Sequence, residues 1–149
     1  MKPKSPLFLM ATALALAAAF ASAEGLPEVV MHKDPNCGCC GKWAEHLEAN
    51  GFRVKTVMES DMETVKRRLG VPQRLASCHT AKVGPYVIEG HVPASAIKRL
   101  LRERPVVKGL SVPGMPLGSP GMEVPGRKDS YDAVSFDALG RTRVFEQFR

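Results

Sequence analysis

Apolar and polar positions along this chain fall into short runs whose period switches between two and about three and a half. Each switch predicts an element. Residues 28–32 (Glu-Val-Val-Met-His) read as a short, mostly buried strand, and Lys33-Asp34-Pro35-Asn36 as a turn. A helix then runs from the cysteines at 37–40 to Asn50, with Trp43, Ala44 and Leu47 sharing a face with Cys40 and Gly51 as its stop. Residues 52–58 alternate as a half-buried strand. Ser60 and Glu63 have the spacing of a capping box for a second helix, whose inner stripe is Met62, Val65 and Leu69 and which Gly70 and Pro72 end. A helical turn within 71–77 leads to Cys78. Strands at 80–83 and 86–89 flank the tight turn Gly84-Pro85, and a third helix over 94–103 buries Ile97, Leu100 and Leu101.

The order strand, helix, strand, helix, strand, strand, helix implies an α/β fold with a mixed sheet, parallel at first and antiparallel at the late hairpin. A cysteine cluster between the first strand and first helix is the arrangement of a thioredoxin-like domain. That domain is expected over 24–104. From Pro105 the composition shifts, and 109–126 predicts a long irregular loop rich in Gly and Pro. Met115 and Met122 lie in it, and a linker made only for flexibility needs neither. Residues 133–148 carry two strand-like runs about Leu139-Gly140, a hairpin. Residues 105–149 are thus read as a C-terminal extension that contributes to the site. No internal repeat is present.

The first 23 residues change the picture. Lys2 and Lys4, an apolar run over 7–20 and the small residues Ala21-Ser22-Ala23 read as a signal peptide cleaved before Glu24. The protein is expected in the periplasm, with no membrane span after cleavage and as a monomer. Removal of the leader from the 149 residues leaves 19 basic against 15 acidic side chains, a balance of +4. The basic clusters at 66–68 and 99–104 alternate with apolar residues at helical spacing, as solvated faces do. With two tyrosines and one tryptophan there is no stacking ladder for bases, so nucleic acid is excluded as a partner.

Candidate chemistry concentrates on sulfur. Three of the four cysteines occupy Cys37-Gly38-Cys39-Cys40. Adjacent cysteines close no useful loop, so this is not a fold staple. Thiolates at a helix start are favoured by the helix dipole and are reactive or metal-binding. Cys37 and Cys40 also have the C-x-x-C spacing of redox dithiols, Cys37 attacking and Cys40 resolving. Cys78 precedes the third strand, at the end of the sheet where open α/β folds place their sites, and reads as a further ligand or redox partner rather than a buried filler. His79 beside it supplies imidazole or tunes a sulfur. With Met115 and Met122 the donor set is soft and selects copper as Cu(I) over hard cations. Met31, Met58 and Met62 belong to the core stripes. His91, after a strand and before Pro93, is placed either at the same rim or, in preference, on the surface as a hydrogen-bonding residue; His32 is read as core or support beside the site, and His46 as solvated.

These blocks carry a family resemblance. Lys33-Asp34-Pro35-Asn36-Cys37-Gly38-Cys39-Cys40 resembles the C-x-C-C signature of the CopG-type periplasmic copper-resistance proteins, long catalogued as a domain of unknown function. Ser77-Cys78-His79-Thr80, the stretch Tyr86-Val87-Ile88-Glu89-Gly90-His91-Val92-Pro93-Ala94, and the stretch from Gly114 to Glu123 resemble its other blocks in the same order. The resemblance implies a thioredoxin-like domain with a metal-binding extension and a sulfur-bridged copper cluster that interconverts Cu(I) and Cu(II) in copper detoxification. On this chain it implies Cys37, Cys39 and Cys40 as cluster ligands, Cys78 as a fourth sulfur, and Met115 and Met122 as thioether donors.

Three functions compete on these residues: a copper-binding redox protein, a thiol–disulfide oxidoreductase acting on proteins, and passive copper storage or delivery. The copper readings take copper ions as partner and a periplasmic chaperone or efflux system as exchange partner. Structural zinc through three thiolates and an imidazole is a weaker fit, and the usual iron–sulfur spacings are absent.

Overall fold

A computed structural model describes residues 25–149; the leader expected over 1–23 lies outside the described residues. Through Glu103 the elements form within two residues of their expected bounds. They are β1 (Val29–Lys33), α1 (Gly38–Ala49), β2 (Val54–Met58), α2 (Met62–Leu69), a 3-10 turn (Gln73–Leu75), β3 (His79–Val83), β4 (Tyr86–Glu89) and α3 (Ala94–Glu103). Three further strands follow: β5 (Gly109–Ser111), β6 (Tyr131–Phe136) and β7 (Thr142–Phe148). All seven join one mixed sheet in the order β2-β1-β3-β4-β5-β6-β7. The β1–β2 and β4–β5 pairs are parallel and the others antiparallel.

The pleat decides which helix covers which face. Val29 and Met31 of β1, Ala81 and Val83 of β3, and Tyr86 and Ile88 of β4 join Trp43 and Leu47 of α1 and Ile97 and Leu100 of α3 in the main core. The alternate residue Val87 points the other way, into a smaller cluster with Val71, Leu75 and Phe136 behind α2. A sheet covered on both faces leaves its strand ends, and the loops there, as the place for chemistry.

Two expectations are corrected. The cap of α2 is Asp61 and not Ser60: its carboxylate accepts from the Thr64 amide at 3.0 Å and the Thr64 hydroxyl at 2.6 Å. A carboxylate is the stronger acceptor and also favours the positive helix end, so the first turn closes one residue later. The Gly/Pro-rich stretch is not irregular from its start, because residues 109–111 form β5. Only glycine fits at 109, where a Cβ would lie 1.8 Å from the Val87 carbonyl oxygen. The expected hairpin is present as β6 and β7, and the sheet continues unbroken past residue 105.

Candidate thiol and metal site

The turn after β1 delivers the cysteines. Asp34 Oδ1 accepts from the Asn36 amide at 2.8 Å, the Cys37 amide donates to the Asp34 carbonyl at 3.1 Å, and Cys37 becomes the N-cap of α1. No side chain caps that helix, so its first N–H groups have no side-chain acceptor. Cys40 is buried on the inner face with Trp43 and Leu47, while Cys37 and Cys39 are half-buried. From the opposite side come Cys78 in the loop before β3, His79 as the first residue of β3, and His91 between β4 and α3.

These groups converge. Cys37 and Cys40 form a disulfide with Cα atoms 5.5 Å apart. Cys39 Sγ lies 3.6 Å from Cys37 Sγ and 3.7 Å from Cys78 Sγ, and Cys40 Sγ lies 3.5 Å from Cys78 Sγ. All four sulfurs are within 4.8 Å of one another, and the same limit holds for the second group of Cys78, His79 and His91. Cys78 is therefore the shared member, 3.3 Å from His79 Nδ1 and 3.1 Å from His91 Nε2.

The protonation of His91 follows from its partner. The Pro120 carbonyl can only accept, so at 2.7 Å it takes the proton of Nδ1 and leaves the Nε2 lone pair facing Cys78. A ring N–H held by a backbone carbonyl is the usual support of a metal-binding imidazole. His79 is fully buried, tilted against Trp43 at 4.4 Å and edge-on to His91 at 5.0 Å. Its Nε2 is the buried side-chain nitrogen that lacks a hydrogen-bond partner among the described residues. Burial first, then the charges of His91 and Lys66, hold the His79 pKa well below its ordinary value. Burial likewise lowers His91, against the Pro120 bond and Glu123. Burial, then Cys39, pushes the Cys78 thiol up to about 12. Without metal the site thus holds neutral imidazoles and a protonated Cys78.

The cysteines at 37, 39, 40 and 78 and His79 are all brought together as the residues suggested. His91 is a correction: it is fully buried and faces Cys78, not solvent. Hydropathy is silent on a lone histidine in a loop, but its place on the β4–α3 connection, at the same sheet end as Cys78, was the usable signal. His46 is half-buried rather than solvated, and its Nε2 accepts from the Ala94 amide at 3.1 Å, joining α1 to the start of α3. His32 supports the rim through Glu59 at 2.7 Å. Met115 is 53 % exposed and Met122 half-buried. The loop carrying them reaches both sides of the site. Gly114 docks on Ala76 and Ser77, and a Cβ at Gly121 would lie 2.8 Å from the Cys39 carbonyl oxygen.

Fold and donor set together define a class: small α/β proteins whose thiol and imidazole groups meet at one end of a mixed sheet, fit for a soft metal ion or thiol–disulfide exchange. Two solved structures of copper resistance protein CopG, Form 2 and Form 1, are each 48 % identical to the chain and cover 83 % of it. They are themselves covered to 99 % and 98 % and superpose with TM-scores of 0.79 and 0.78. Residues 75–122 match the family model described as protein of unknown function, DUF411. No curated protein matches the chain. The chain belongs to the family of copper resistance protein CopG.

Proposed function

We propose that this chain is a copper-binding redox protein of copper resistance, acting in the periplasm once residues 1–23 are removed. The observation that carries the reading is the convergence of four cysteine sulfurs within 4.8 Å, backed by two imidazoles on Cys78. The copper-resistance names of the two related structures support it. Thiolate and imidazole suit Cu(I) better than any hard cation. A buried nitrogen with no partner, as at His79 Nε2, costs free energy that a bound ion would offset.

Copper is the cargo here. Cys37, Cys39, Cys40 and Cys78 hold it, with His79 and His91 as nitrogen donors and Met115 and Met122 as thioethers on the covering loop. Cleaving the Cys37–Cys40 disulfide takes up two electrons, and oxidation of two Cu(I) to Cu(II) supplies two. Thiol and metal redox states therefore balance within one centre. The strand order β2-β1-β3-β4, with α1 and its cysteines directly after β1, supports a thioredoxin-like assignment for residues 24–104. Residues 105–149 are then an extension serving the site. Among the described residues no helix is long and apolar enough to cross a membrane. A monomer exchanging copper ions with a periplasmic chaperone or efflux system completes the reading.

The test is anaerobic loading of the reduced protein with Cu(I), followed by a count of copper per chain. Cys39→Ser should lose at least one bound ion, and an unchanged count overturns the shared site. Alternating oxidant and reductant while following the Cu(II) paramagnetic signal separates redox work from storage. A single oxidation state through every cycle marks passive storage or delivery.

A second reading, protein thiol–disulfide exchange, is favoured by the Cys37–Cys40 disulfide, whose outer sulfur belongs to half-exposed Cys37 at the helix start. Rapid insulin reduction by a protein that binds no copper would select it.

A further inference from the structure

Behind Cys78, on the α2 face of the sheet, lies a charged group that none of the chemistry above uses. Glu89, the last residue of β4, has a fully buried side chain. Its Oε1 accepts from Lys66 Nζ at 2.5 Å and from the Ser77 backbone amide at 2.6 Å, and its Oε2 accepts from the Thr80 hydroxyl at 2.6 Å. Lys66 Nζ also donates to that hydroxyl at 3.0 Å and closes the triangle. Lys66 was expected on a solvated face, yet its side chain is only 14 % exposed.

The Ser77 amide directly precedes Cys78, so the carboxylate grips the chain one residue from the shared sulfur. Other contacts press the same segment. The Gly90 amide donates to the His79 carbonyl at 3.0 Å. A Cβ on Gly90 would sit 2.6 Å from Ser77 Cβ and Oγ. The Ser77 hydroxyl donates to the Gly114 carbonyl. Stability alone does not account for the ion pair, because an apolar pair of similar volume usually does as well in a buried setting. An apolar pair, however, offers the Ser77 amide no acceptor.

We propose that Glu89 is a positioning residue: held by Lys66 and Thr80, its carboxylate fixes the Ser77 amide and thereby sets Cys78 Sγ against Cys39, Cys40 and His91. The inference rests on the reading that Cys78 belongs to the working site. Glu89 touches no sulfur, and it acts on the site through one backbone bond.

The discriminating variant is the double substitution Lys66→Met with Glu89→Leu, made in the full chain. It removes the acceptor and keeps an apolar fill. Alkylation of Cys78 in the reduced, metal-free protein is followed by mass spectrometry with Cys39 as internal reference, beside thermal unfolding. The expected result is a Cys78-to-Cys39 rate ratio changed by about tenfold, the factor a lost charge-assisted hydrogen bond represents, in a folded protein whose Tm falls because the Thr80 hydroxyl and Ser77 amide lose their partners. Lys66→Met with Glu89→Gln keeps an amide oxygen for Ser77 and should return the ratio to within about threefold of the parent. A parental ratio in the Leu variant overturns the proposal. Should that variant fail to fold, single Glu89→Gln against the parent decides: its weaker neutral acceptor must still shift the ratio by about two- to threefold, and an unchanged ratio overturns the proposal. Copper loading of the parent is run alongside. A parent that binds no Cu(I) sinks the copper reading and leaves the alkylation result to judge Glu89.

Discussion

At the scale of single residues, His91 is where chemistry and fold meet. Its ring is held by a backbone carbonyl on one nitrogen and faces the shared sulfur with the other. On the proposed copper reading, replacing it removes a donor, and it also removes the tie to Pro120. His91→Ala should weaken Cu(I) affinity by about ten- to a hundredfold, read by competition against a Cu(I) chelator. Parental affinity would place His91 outside the donor set. The buried histidines also set a pH dependence. His79 is neutral in the folded chain, its pKa held well below 6.5 by burial, and it returns to an ordinary value when unfolded. Below that ordinary value the unfolded chain binds a proton that the folded chain does not. This contribution to stability is therefore fully present above pH 6.5 and is lost as pH falls. His91 and His46 shift in the same direction, each through burial. The metal-free parent should lose urea resistance between about pH 7.5 and 5, with a slope approaching about 1.4 kcal/mol per pH unit for each such proton. His79→Gln should show a shallower fall over that window, and superimposable pH profiles would refute the assignment.

At the scale of elements, what was legible in the sequence was what is local and periodic. The Cys40, Trp43 and Leu47 stripe of α1, the Ile97 and Leu100 stripe of α3 and the Gly84-Pro85 turn each contain their own instruction, and the structure follows them; β2 forms where expected, but its burial does not alternate and Met58, read as core, is exposed. What was not legible depends on partners distant in the chain. Three residues, Gly-Leu-Ser, have no period to read; they become β5 because β4 and β6 stand on either side of them. The reason for glycine there is visible only with Val87 in place. Gly109→Ala must push β5 off β4 or distort both, at a cost of at least about 3 kcal/mol, measured by urea unfolding. Ordinary stability in that variant would mean β5 is not seated as described. The end of α3 makes a prediction of the opposite sign. Arg104 takes the left-handed cap position with φ of 48°, which glycine occupies without penalty. Arg104→Gly should raise stability by about 0.5–1 kcal/mol. A loss instead would show that its exposed side chain makes a contact worth more than the backbone strain.

For the whole molecule, three stretches distant in the sequence come together at the candidate site: the start of α1, the Cys78 loop with its neighbour His91, and the Gly/Pro-rich loop after β5, which touches both. The soft residues of each were visible in the sequence. The conversion of His91 from a surface residue to a site residue was not, because it depends on the third stretch folding back until Pro120 meets the ring. The strap is seated by shape as much as by hydrogen bonds. Gly121 has φ of 86°, and a Cβ there would lie 2.9 Å from the Trp43 backbone nitrogen and 2.8 Å from the Cys39 carbonyl oxygen. Both contacts are on the backbone of α1, which cannot yield as a side chain tip would. Gly121→Ala must therefore lift the strap from the helix start, and with it the carbonyl that orients His91. Ile97 and Leu100 of α3 keep their packing on the sheet, so far-UV dichroism should stay parental. Copper release to a chelator should accelerate at least about tenfold, in line with the loss of a supporting partner to a ligand, and Met122 should oxidise faster in dilute peroxide. If release and oxidation both keep parental rates while the fold is intact, the loop is an ornament on the sheet edge and the site consists of the cysteines and histidines alone.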